Sequence, residues 1–138
     1  MQKSEELKAL CLQLYEAMAQ NDIDFVLKHF SQQEGVLAIG TDPEEWWSGW
    51  STIKHVFKMQ LEAMRGMKIV DSDPLAYSEE NVGWAADQAS FSLPNGFAIP
   101  ARFTAVFHRE QDAWRVVQWH VSVGVGNEDV VGVELPTA

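Results

Sequence analysis

A single cysteine, Cys11, among 138 residues leaves no intrachain disulfide to hold the fold. Basic residues are also scarce, ten Lys and Arg against twenty Asp and Glu, for a formal net charge of −10. That deficit disfavours nucleic acid, whose phosphates reward clustered Lys and Arg, and it disfavours anionic membrane surfaces. No apolar run approaches the roughly 18 residues of a bilayer span. The start, MQKSEELK, is too charged for the apolar stretch of a secretory leader. Missing too are a Gly-x-Ser-x-Gly elbow, a phosphate-loop glycine pattern, and any Cys/His or His/carboxylate cluster at metal-ligand spacing. These absences predict a cytoplasmic domain with no cofactor, no metal, no nucleic-acid partner and no membrane partner.

What is present is an ordinary globular composition, 46% hydrophobic and 11% aromatic. A chain of this length buries about two-thirds of its unfolded surface, so residues 1–138 are expected to form one domain. Ser4, with Glu5 and Glu6 behind it, opens a helix in which Leu7, Leu10, Cys11, Leu14, Tyr15 and Met18 recur on one face. Cys11 on that stripe reads as a buried structural thiol. Asn21 or Asp22 can cap a short second helix burying Phe25, Val26 and Phe30. GVLAIG (35–40) is a short apolar strand, and SGW (48–50) leads into a third helix striped by Ile53, Val56, Phe57, Gln60, Leu61 and Met64. Past Gly66 the period drops from 3.6 to 2. Four strands are predicted at about 67–77, 81–93, 97–109 and 114–125, joined by the short turns SEEN, PNG and EQDA as an antiparallel meander. The tail from about 125 to 138 reads as a loop or a weak edge strand.

Three helices followed by a long antiparallel sheet predict an α+β fold, with the helices packed on one face of a strongly curved sheet that forms a cone. The stretch WRVVQWHVSVG (114–124) has two rows: Val117, Trp119, Val121 and Val123 on one face, Val116, Gln118, His120 and Ser122 on the other. Trp84 and Val82 beside Gln118 and His120 make the outer face mixed enough to predict a homodimer.

Three stretches carry a family resemblance over nearly the whole chain: YEAMAQNDIDFVLKHF, SGWSTIKHVF and RFTAVFHREQDAWRVVQWHVS. They resemble the SnoaL-like domains of the nuclear transport factor 2-like superfamily, a cystatin-like α+β group. That group includes ketosteroid isomerases, polyketide cyclases and the association domain of calcium/calmodulin-dependent kinase II. The resemblance implies the cone-shaped fold. It does not imply one function, since the group hosts isomerases, dehydratases, cyclases and binders alike. Against the isomerases, Tyr15 falls where their tyrosine oxyanion donor lies, whereas Ala38 and Ala105 fall at the two acidic positions and can move no proton. Against the association domain, Asp87, Ala105 and Val121 fall where three arginines line its anion pocket. Both comparisons put Trp119 and Val121 on the inner face, and strand parity then puts Gln118, His120 and Ser122 outside.

Asp87, in WAADQASF, shares its parity with Ala85, Ala89 and Phe91 and is expected in a mostly apolar cavity, as an acid-base group or as the partner in a salt bridge or a hydrogen bond to a helix terminus. Trp46, Trp47, Phe91, Phe103, Trp119 and Val121 are expected to wall a ligand pocket, the tryptophans of EEWWSGW either stacking on a flat ligand or sealing the cone. Arg102 and Thr104 are expected beside Gln118, His120 and Ser122 as one polar network or dimer face. Three functional readings follow. The first is binding of a small apolar or aromatic molecule in the cone. The second is an isomerase, dehydratase or cyclase using Asp87 with Tyr15 as hydrogen-bond donor. The third is a homo-oligomeric assembly module.

Overall fold

A computed structural model describes residues 1–138. In chain order the elements are β1 (Gln2–Lys3), α1 (Glu5–Ala19), α2 (Ile23–Lys28), β2 (Leu37–Ile39), β3 (Trp46–Ser48), α3 (Trp50–Ala63), β4 (Lys68–Val70), β5 (Leu75–Glu79), β6 (Val82–Ser92), β7 (Ala98–Glu110), β8 (Ala113–Ser122) and α4 (Asn127–Val131). The helices start where the sequence supplies caps: Ser4 accepts the Leu7 N–H at 3.2 Å, and Asp22 accepts the Phe25 N–H at 3.2 Å. Strands β5 to β8 form the expected meander in a sheet ordered β1-β5-β6-β7-β8-β2-β3. No helix is long and apolar enough to cross a membrane.

Alternation decides what faces the helices. One row crosses the inner face from β5 to β3 as Ala76, Ala85, Ala105, Trp119, Ala38 and Trp47. The alanines at its β5 end give α1 room to lie close. Gly83 completes this fit, since a Cβ there would run into Leu7 of α1 and stand 2.9 Å from the Tyr77 carbonyl oxygen. Leu7, Leu10, Cys11 and Leu14 bury against this surface and join a core that also takes Ile53, Phe57 and Leu61 from α3. At about 25 cal/mol per Å² of apolar surface removed from water, these helix stripes supply much of the drive for the α-on-β packing.

Three expectations need correction. The strand expected over 67–77 is two strands: β4 pairs with residues 90–92 of β6 and β5 with residues 82–86. Between them Asp71 takes the left-handed conformation (φ 56°) and the chain leaves the ladder until Pro74. The tail forms no edge strand; residues 127–131 are the short helix α4. In β8, register shifts across Val117: Val106 opposes Gln118, while Phe107 opposes Val116. Val117 is therefore the extra residue of a bulge, which reverses parity upstream of it. Val116 is fully buried with Trp114, and not on the outer face with Gln118 as simple alternation had it.

Candidate functional site

The open end of the cone holds a cavity of about 450 Å³, lined by 21 residues of which 16 are hydrophobic. The strands contribute Trp119 and Val121 from β8, Phe103 from β7, Phe91 from β6 and Ile69 from β4; α3 contributes Phe57, Gln60 and Leu61, and Met64 follows as its C-cap. Large inward rings here replace the alanines of the helix-covered end, so the sheet is held off α3 and space remains. The rings brace one another: Phe103 lies 5.4 Å from Phe91 and 6.4 Å from Trp119, and Trp47 lies 6.1 Å from Phe57, edge to face. Met18, Met64 and Met67 add unbranched, adaptable side chains to the wall.

Five of the six residues expected to line the pocket do so: Trp47, Phe91, Phe103, Trp119 and Val121. Trp46 does not. It alternates with Trp47 on the short strand β3 and is 65% exposed. The tryptophan pair thus splits, one ring in and one ring out, as period-2 geometry requires.

Tyr15 and Asp87 are brought together, but they do not line the cavity. The Tyr15 hydroxyl donates to Oδ2 of Asp87 at 3.1 Å, and the backbone N–H of Asp73 donates to Oδ1 at 3.1 Å. Asp87 stands on β6 opposite the gap between β4 and β5, so its carboxylate replaces the missing ladder partner and ties α1 to the bend. Burial pushes the Tyr15 phenol far above its ordinary pKa, with Cys11 and Asp87 adding to the effect, so it stays a donor. Outside this pair, Lys8 bonds Asp73 at 2.6 Å, which lowers the Asp73 carboxyl and raises the Lys8 ammonium.

The outer strip is as expected in placement and not in bonding. Arg102 opposes Ser122, Thr104 opposes His120, and Val106 opposes Gln118. Gln118, His120 and Ser122 alternate with buried Trp119 and Val121 and are absent from the cavity. No side-chain hydrogen bond joins Arg102, Thr104, Gln118, His120 and Ser122, so the polar network expected of them does not form.

Beyond Gln60 of the α3 stripe, the polar groups that line the cavity are ones to which the sequence assigned no site role. Glu45, half-buried in the β2–β3 turn, extends its carboxylate along the wall, where Oε1 accepts from Gln60 Nε2 at 3.4 Å. The turn is closed by the Gly40 N–H donating to the Glu45 carbonyl at 2.9 Å, and the Glu45 Oε2 lies against Gly40 where any Cβ would stand. Thr41 and Lys68, both exposed, complete the polar part of the lining. One signal was available: Glu45 precedes Trp47 by two residues and so shares its face.

The SnoaL-like domain profile matches residues 7–126. The chain belongs to the SnoaL-like domain family. No curated protein matches it by sequence. Among solved structures it is similar to a nuclear transport factor 2-like protein of unknown function from Pseudomonas putida, at 15% identity and a TM-score of 0.77 over 99% of this chain and 98% of that one. It is also similar to a candidate dehydratase of the same superfamily from Streptomyces avermitilis, at 14% identity and a TM-score of 0.74 over 88% and 96%. A third is a candidate calcium/calmodulin-dependent protein kinase II association domain from Xanthomonas campestris, at 18% identity and a TM-score of 0.69 over 90% and 95%. At these identities the likeness establishes the cone-shaped fold.

Proposed function

We propose that this SnoaL-like domain binds a small, largely apolar or aromatic molecule in its cone. The observation that carries this reading is the cavity of about 450 Å³ with 16 hydrophobic residues among its 21. A concave apolar space with a few convergent polar groups is the usual form of a small-molecule site. Braced rings on one side and methionines on the other supply a flat contact and an adjustable one. The enzyme reading puts acid-base chemistry on Asp87 and Tyr15. Both Asp87 oxygens already accept hydrogen bonds that hold the fold, and neither residue borders the space a substrate would fill. This favours binding over isomerase, dehydratase or cyclase chemistry at that pair.

A thermal-shift series with naphthalene-sized compounds tests the proposal, together with Met64→Trp, which puts a large ring into the cavity from the half-buried end of α3. The wild type should gain thermal stability with at least one compound, by mass action on the folded state. Met64→Trp should lose that gain while remaining folded by circular dichroism. Equal shifts in both proteins would place binding elsewhere.

A further inference from the structure

We infer that the cavity selects apolar organic cations, a protonated amine on an aromatic or alicyclic body, and that Glu45 is the residue that receives the charge. This rests on the reading of the cone as a binding site and adds the ligand's chemical class. Glu45 is the one acidic residue in the lining. Its carboxylate has no Lys, Arg or His nitrogen within ion-pair distance, unlike Glu6, Glu62, Glu79 and Glu110. Its sole side-chain donor is the neutral Gln60 amide, on Oε1; Oε2 accepts from no protein group. A half-buried carboxylate with no counter-charge favours a cationic ligand over a neutral or anionic one, since an opposite charge in contact offsets its partial desolvation and a second carboxylate would repel it.

Three further features point the same way. Trp47 stands two residues from Glu45 on the same face of the chain, and an aromatic face beside a carboxylate suits an ammonium group. The net charge of −10 draws cations toward the molecule and repels acids. Gly40 leaves room for the carboxylate where a side chain would displace it. The one cationic lining residue, Lys68, is exposed at the rim and bonds to no acidic residue, Glu45 included.

The test uses three compounds on one ring system: 2-(1-naphthyl)ethylamine, 2-(1-naphthyl)ethanol and 1-naphthylacetate, titrated calorimetrically at neutral pH. The amine should bind about tenfold or more tighter than the acid. Glu45→Gln should bring the amine to within about twofold of the alcohol. Gly40→Ala should do the same by displacing the carboxylate while leaving the net charge unchanged, which separates the local group from the field of the whole chain. The inference is overturned if the acid binds as well as the amine, or if both variants keep the preference. Should all three compounds bind alike and all be blocked by Met64→Trp, the apolar site stands and charge selection falls. Binding by none of the three would remove both.

Discussion

At the scale of single residues, the pair with the most chemical promise in the sequence is occupied in holding the structure. Tyr15→Phe removes one hydrogen bond and should cost about 1 kcal/mol. Asp87→Ala strands the Tyr15 hydroxyl and the Asp73 N–H together and should cost about 2–3 kcal/mol. Urea unfolding measures both losses. Naphthyl-ligand affinity measured on the folded fraction should stay close to wild type, whereas an acid-base role in the cavity would abolish turnover without such a stability loss. Asp87 was legible as inward-facing and ionisable. Its employment was not, because the gap it fills opens where the chain leaves the ladder between Asp71 and Pro74, which no periodicity announces. Glu45 went unread for the opposite reason: acidic residues in a Pro-containing turn are ordinarily solvated, and only the closure of the Gly40–Glu45 turn aims this one along the wall.

Cys11 gives a second residue-scale prediction. Burial pushes its thiol up from 9.0 to about 11, so the folded protein keeps the proton after the unfolded chain has lost it. A raised folded pKa means the contribution is fully present below pH 9.0 and is lost as pH rises toward about 11. Between those limits the wild type should lose about 2 kcal/mol relative to Cys11→Ala, read from denaturant midpoints across the range. Comparison with the variant isolates the thiol from Tyr15, whose raised pKa acts in the same direction.

At the scale of elements, helices were readable because caps and stripes are local signals. Ser4 and Asp22 cap as expected, and the α1 stripe is the buried face. The long strands were readable by alternation. Within the meander, the departures fell where one residue interrupts or shifts a strand. Val117 adds a residue to β8 and turns Val116 inward, and φ 56° at Asp71 splits a strand in two. A bulge leaves composition and hydrophobicity untouched, so period counting passes over it and assigns the upstream residues to the wrong face. The parallel pairing of β2 with β8 was equally hidden, since it joins segments 81 residues apart (Leu37 with Gln118) with nothing local to signal it. That pairing matters to the site because it carries Trp47 and Glu45 to the cavity wall.

For the whole molecule, the outer sheet face carries an apolar and aromatic strip that the helices leave uncovered. A row runs across it as Tyr77, Trp84, Val106, Gln118 and Leu37, with Tyr77 and Trp84 stacked at 5.1 Å, and Val82 and Leu75 exposed nearby. We propose that this face joins two copies of the chain. Sedimentation velocity at micromolar concentration should find a dimer, and Trp84→Arg with Val106→Glu should convert it to a folded monomer. A wild-type monomer at that concentration would end the proposal.

The two ends of the inner sheet face divide the molecule's labours. Where alanines and Gly83 meet α1, the interior is solid and stability is made; where rings and methionines meet α3, it is hollow. Of the residues bordering the hollow, only Phe57, Leu61, Phe103, Trp119 and Val121 also belong to the buried core. Most of the border can therefore change without unmaking the fold, and a lineage built on this plan is free to exchange one guest molecule for another while its architecture stays the same.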